Sequence, residues 1–377
     1  MPKIRVLIFP FHLLSHYLRC LEFAKKFLPN DKYEVHFLHS EIYEKHILQN
    51  NYQTFSCEQF DADFALRCST KFNFSWLNIT DIEKVFLSQI QIINKLKPDI
   101  VIGDVAPTLK MAAEFTNVEY TALVNGYMTK YYALTRKLSR THFAYRLSKI
   151  VPSKYFDKIT RIAEKISFKI VHLPFKKIRK KYALKGVSNY LSEMEGDQNF
   201  ICDDALLFPQ RSLPDNYFNI EPLIYKSTIS ESSWLDEIGV SKPIIFVSMG
   251  SSGNWSELKF LNDECYSRYT IITAGDSSNI LNASHIISKS FVNLEDVLER
   301  ADLMICHGGN GTIYLGLTKG VYMLCYTNHF EQEWNVQALE NKGYGRSLND
   351  VKIIDREEVI SASLKIKLQP YVFGNKD

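Results

Sequence analysis

The run Cys306-His307-Gly308-Gly309-Asn310-Gly311-Thr312 reads as the end of a buried strand, a glycine loop carrying one histidine, and the start of a helix. Such a junction suits anions, because the first helical N–H groups lack partners and the helix dipole points its positive end the same way. About twenty residues later, Phe330-Glu331-Gln332-Glu333-Trp334-Asn335 sets a carboxylate beside an amide, a pair able to accept from and donate to sugar hydroxyls. Together the two runs suggest a diphosphate with a sugar attached, the substrate of a nucleotide-sugar enzyme.

The elements that must hold these groups follow from apolar spacing. Ile4 to Phe9, Glu34 to Leu38, Ile100 to Ile102 (closing at Gly103-Asp104) and Val118 to Val124 read as strands. His16 to Phe27 and Ile82 to Leu96, stopped by Pro98, have helical spacing. The alternation restarts after Trp234 with strands at Ile244 to Ser248, Tyr269 to Thr273, His285 to Ile287, Leu303 to Cys306 and Tyr322 to Cys325. Strands alternating with helices imply parallel sheets covered on both faces. The expected fold is therefore α/β, with two doubly wound, Rossmann-like domains. Residues 1–225 form the first, 226–242 a serine-rich linker and 243–377 the second, whose last helix is free to cross back to the first. Ligands of such sheets bind beyond the carboxyl ends of the strands, and a cleft between two lobes is the expected site.

Composition agrees with this class. The chain has 377 residues, 46% of them hydrophobic, and a net charge of +3, ordinary values for a two-domain globular protein. No apolar run is long enough to span a bilayer, and the run at the N-terminus is too short for a signal peptide. The seven cysteines include no Cys-x-x-Cys pair, so a reducing, cytoplasmic setting is expected, without a disulfide framework or a zinc site. Charge is unevenly spread: residues 130–185 hold seventeen Lys and Arg against Asp157 and Glu164. Aromatic residues interleave with them. A solvated set of basic helices, or a surface that meets an anionic membrane from the inner face, both fit. Without an accompanying motif, nucleic acid is not an expected partner.

Residues 291 to 335 resemble the donor-binding signature of the UDP-glycosyltransferase superfamily, the inverting, two-lobed GT-B enzymes of the family 1-like group that includes bacterial macrolide glycosyltransferases. The matching residues are Phe291-Val292, Ala301-Asp302-Leu303, His307 to Thr312, Gly320-Val321, Glu331-Gln332 and Asn335, with Gly343 and Gly345 following. Val247-Ser248-Met249-Gly250-Ser251 resembles the phosphate-facing loop that opens the second lobe in that family. The resemblance implies a nucleotide diphosphate sugar as co-substrate. His307, Gly309, Asn310, Gly311, Thr312 and Ser251 would then meet the diphosphate. Glu331 and Gln332 would meet the hexose, while Phe291 stacks on the base and Val292 offers backbone contacts.

The first lobe is similar to the family's acceptor domain. In Pro10-Phe11-His12-Leu13-Leu14-Ser15-His16, Ser15 replaces the usual glycine and His16 falls on the catalytic histidine. An attacking alcohol must lose its proton, and histidine titrates near neutral pH. Asp104 falls on the position of the aspartate that orients this base, and both residues stand at carboxyl ends of expected strands. Taken alone, a histidine at a strand-to-helix junction such as His16 is more often a packing or capping residue than a base, His12 is a rival base in the same loop, and Asp104 reads as a helix N-cap.

One departure concerns the donor. Many family members place a glutamate eight residues after the loop histidine to grip the ribose hydroxyls; here that residue is Leu315, which accepts no hydrogen bond. A dTDP-sugar, whose ribose lacks a hydroxyl, and a UDP-sugar bound through other contacts both remain open, the acid–amide pair favouring UDP. Asp61-Ala62-Asp63 matches the letter of a metal-binding Asp-x-Asp. It follows no buried strand, so it is read as a surface helix or loop, and no metal is expected. The acceptor, a small molecule or a lipid, is not encoded in a transferable pattern.

Overall fold

The computed structural model describes residues 2–142, 145–148, 150, 153–225, 233–238, 241–250 and 252–374. It divides into two compact units, residues 1–225 and 226–377.

In the first unit the described strands are β1 (Ile4–Pro10), β2 (Tyr33–Leu38), β3 (Gln53–Phe55), β4 (Ile100–Asp104), β5 (Glu119–Val124), β6 (Gln198–Ile201) and β7 (Tyr217–Asn219). They form one parallel sheet in the order β3-β2-β1-β4-β5-β6-β7. Side chains alternate across it. Leu7, Phe9 and Val101 pack with Ile82, Phe86 and Leu109 on one face, while Val6, Ile8 and Ile102 pack with Tyr17, Leu21 and Phe23 on the other. Burial of each such side chain contributes about 1.5–3 kcal/mol, so helix Leu14–Phe27 and helix Ile79–Leu96 are fixed to opposite faces. The second helix is bounded as its sequence dictates. Asn78 caps its start by accepting from the Asp81 N–H at 3.0 Å, and left-handed Lys97 followed by Pro98 ends it.

The second unit repeats the plan with β8 (Ile244–Ser248), β9 (Thr270–Ala274), β10 (Ile286–Lys289), β11 (Leu303–Cys306), β12 (Met323–Cys325) and β13 (Gly345–Ser347). Its parallel order is β10-β9-β8-β11-β12-β13. Ile245, Val247 and Ile305 face one core and Phe246, Met304 and Ile272 the opposite side, all fully or nearly fully buried. The chain then returns over helix Asn310–Thr318: the Tyr371 N–H donates to the Leu317 carbonyl at 2.9 Å and Phe373 packs on Tyr314.

In both sheets the order of connection reverses at one place, between β1 and β4 in the first and between β8 and β11 in the second. Loops leaving such neighbours run to opposite faces, which opens a crevice at their carboxyl ends. His16 and Asp104 lie at the first of these places and His307 at the second.

Candidate active site

The first crevice holds His16, Arg19 and Asp104. Asp104 is the last residue of β4, in register with Pro10 at the end of β1, and its side chain is fully buried. Helix Leu14–Phe27 begins just beyond β1 and carries His16 in its first turn and Arg19 one turn later, both facing that carboxylate. His16 Nδ1 lies 3.1 Å from Asp104 Oδ1. Arg19 grips the same group with both arms: its Nε donates to Oδ2 at 2.7 Å, one Nη donates to Oδ1 and the other to the Asn125 side-chain oxygen at the end of β5. Burial alone would raise the Asp104 carboxyl, but Arg19 and then His16 outweigh it and hold it at about 2.

Neither residue caps a helix. Helix Leu14–Phe27 has no side-chain cap, and the next helix beyond Asp104, Leu109–Thr116, starts after Thr108. The Phe11 ring meets the His16 ring edge-on at 5.9 Å. His16 Nδ1 also lies 3.4 Å from an Arg19 Nη, so Asp104 and Arg19 meet the same nitrogen of the ring. His12 has another partner: its Nε2 lies 2.9 Å from Ser40 Oγ, and burial lowers its pKa. It lines a cavity of about 30 Å³ together with Phe11, Phe60, Val105 and Pro107. Val105 follows Asp104 directly and has φ +52°, a left-handed conformation that costs a β-branched residue on the order of 1–3 kcal/mol.

Arg19 and Asn125 carry no role in the sequence reading. The available signal was the three-residue step from His16, which places Arg19 on the same helical face.

The second crevice is built around His307. Its ring is held between two glycines. A Cβ on Gly250, at φ +53°, would come within 2.6 Å of His307 Cε1, and a Cβ on Gly309 would overlap its Nε2. Burial pushes His307 down to about 4, against a smaller upward pull from the Ser248 backbone. The ring is therefore neutral at pH 7, and its buried Nδ1 has no hydrogen-bond partner among the described residues. Helix Asn310–Thr318 starts at Gly309 with no side-chain cap and no acid in its first turn. The positive end of its dipole thus faces the glycine loop with no carboxylate in the first turn, a setting that suits an anion.

Glu331 and Gln332 open helix Phe330–Lys342 beyond β12. Gln332 is 1% exposed; its amide donates to Ser252 Oγ at 3.0 Å and its carbonyl accepts the Asn328 N–H at 2.7 Å. It braces the loop after β8, and Glu331 beside it is half-buried. Asn335 ties the same helix to the glycine loop, its Nδ2 donating to the Gly308 carbonyl at 2.9 Å. Phe291, beyond β10, is 66% exposed, and Val292 is buried. Gly311 and Thr312 lie in the first turn of the 310–318 helix, and Leu315 packs inward, 5% exposed. Ser251 lies outside the described residues. Asp61 proves to be a helix cap, accepting the Phe64 N–H at 2.8 Å.

Residues 242–371 match the model of the glycosyltransferase family 28 C-terminal domain. A rhamnosyltransferase of PGL/p-HBAD biosynthesis from Mycobacterium bovis (strain BCG / Pasteur 1173P2) is 23% identical over 341 residues, 88% of this chain and 74% of that protein. Among solved structures, spinosyn forosaminyltransferase SpnP aligns with a TM-score of 0.67 at 15% identity, covering 97% of this chain and 91% of that one. Spinosyn rhamnosyltransferase SpnG complexed with thymidine diphosphate aligns with a TM-score of 0.61 at 14% identity, over 96% and 90%. Two parallel doubly wound sheets and these matches define the class: the chain has the GT-B fold, and its second unit matches a glycosyltransferase domain. It is a glycosyltransferase.

Proposed function

We propose that the protein moves a 6-deoxyhexose from a dTDP-sugar to a hydroxyl of a small-molecule or lipid acceptor, with inversion and without a metal. The observation that carries this reading is the 3.1 Å approach of His16 Nδ1 to the buried, ionised Asp104. His16 Nε2 takes the acceptor's proton as its oxygen attacks the anomeric carbon. The bond from that carbon to the diphosphate oxygen breaks, and its electron pair leaves with the diphosphate. Asp104 stabilises the imidazolium that forms. The N-terminus of helix Asn310–Thr318, with the His307 ring packed against Gly309 at its start, meets the departing charge, the task a metal performs in other transferases.

Three features favour dTDP over UDP. Leu315 offers no acceptor to a ribose hydroxyl, the mycobacterial relative is named as a rhamnosyltransferase, and SpnG is described with thymidine diphosphate. A ligand bound by the native state alone raises the melting temperature. In a thermal-shift panel of dTDP, UDP and GDP, dTDP is expected to give the largest shift; an equal or larger shift with UDP overturns the nucleotide choice.

The basic residues 130–185 favour a second reading, an enzyme held peripherally at an anionic membrane face and acting there on a lipid acceptor.

A further inference from the structure

Helix Ser153–Val171 is amphipathic in an inverted sense. The face towards the first unit holds Thr160 and Phe168, both 8% exposed, and Glu164, which pairs with buried Arg136. The opposite face carries Tyr155, Ile159, Ile162, Ile166 and Ile170, each 54–67% exposed, and Leu173 continues it at 53%. Steps of four, three, four and four residues keep the first five within roughly a quarter of the circumference at about 100° per residue. Isoleucine is among the most consistently buried residue types. Four of them in one exposed row form a contiguous apolar patch, which marks an interaction surface.

Lys158, Lys165 and Lys169 run beside that row, exposed and again one turn apart or two, and Lys176 and Lys177 extend the charge into the next helix. Charge selects the occupant. A second copy docked by two-fold symmetry sets each patch against itself, which brings the lysine rows together. An anionic bilayer meets both features at once: phosphates receive the lysines while the isoleucines enter the acyl boundary. Among the described residues no helix is long and apolar enough to cross a membrane, so the element fits the interfacial orientation.

We infer that the outer face of helix Ser153–Val171 is a membrane-docking surface for anionic lipid. This gives the second reading of the function a defined element, and it stands apart from the transfer chemistry.

The test is co-sedimentation of the full chain with phosphatidylglycerol–phosphatidylcholine vesicles and with phosphatidylcholine alone, at physiological salt. Binding is expected to the anionic vesicles only. The double change Ile162→Ser with Ile166→Ser should lower the partition coefficient on the order of tenfold or more. Lys158→Glu, Lys165→Glu and Lys169→Glu together should lower it on the order of a hundredfold. These positions are exposed, so melting temperatures should stay at the wild-type value. Wild type that ignores anionic vesicles, or variants that bind them equally well, overturn the proposal. So does a wild-type dimer in light scattering that the isoleucine variant converts to monomer without any vesicle binding. The dTDP thermal shift separates the two ideas. Vesicle binding lost with that shift intact defeats the docking surface alone, and vesicle binding kept without any shift defeats the donor reading alone.

Discussion

Asp104 Oδ1 is shared between His16 Nδ1, 3.1 Å away, and the Arg19 guanidinium, which also bonds the other carboxylate oxygen. The aspartate is thus held by two side chains from one helical face, and its orientation towards the imidazole does not depend on the imidazole alone.

That sharing has a stability signature. The carboxyl is held at about 2, below its ordinary value of 3.8. Its contribution is fully present above the ordinary value and is lost as pH falls from there towards 2, amounting to about 2 kcal/mol. Acid unfolding followed by circular dichroism should show this loss in wild type and not in Asp104→Asn. Because Asp104→Asn leaves Arg19 buried without its partner, it should also cost on the order of 3–5 kcal/mol at neutral pH. Arg19→Gln should cost a similar amount by stranding the carboxylate.

The glycines around His307 make a second prediction. Gly250→Ala adds a methyl against the imidazole and strains a left-handed backbone, so it should lower stability by about 1–3 kcal/mol. Gly311→Ala meets nothing within 4 Å and should raise stability by about 0.5–1 kcal/mol. Thermal melts of the two variants give the comparison.

His307 itself should matter to the donor. His307→Ala is expected to weaken dTDP binding by roughly tenfold to a hundredfold in calorimetry, the range of a lost hydrogen bond to a charged group. Its depressed pKa also predicts a pH effect on folding. The unfolded histidine takes a proton below its ordinary value of 6.5 while the native one resists until about 4, so stability should fall across that window and do so less in the alanine variant.

Chelation tests the absence of a metal from the proposed chemistry. Transfer should proceed at an unchanged rate in excess EDTA, because the proposed mechanism sets a helix N-terminus, in place of a metal, against the diphosphate charge. A rate that falls with EDTA and returns with Mg²⁺ or Mn²⁺ contradicts this.

Much of this arrangement was legible in the sequence for a physical reason. Short apolar runs such as Val6 to Phe9 and Ile244 to Val247, too brief for a helix and bounded by proline or by glycine and serine, fit buried strands, and glycine beside histidine before a helical pattern is a distinctive local signal. Strands such as Gln53–Phe55, Gln198–Ile201 and Gly345–Ser347 are three or four residues long and show no period to read. The Arg19 clamp and the occupied Gln332 amide depend on partners far along the chain, Asn125 and Ser252, so spacing alone does not specify them. The outward isoleucines of helix Ser153–Val171 illustrate the limit: periodicity identifies an apolar face, and only the packing of Thr160 and Phe168 shows that this face points away from the core.

The most direct test of the account is transfer by His16→Ala, measured with a dTDP-6-deoxyhexose donor and any hydroxyl acceptor that the wild type turns over. The account predicts a kcat lower by roughly a hundredfold to ten-thousandfold, with dTDP affinity and melting temperature near wild type. Near-normal transfer by His16→Ala would contradict it.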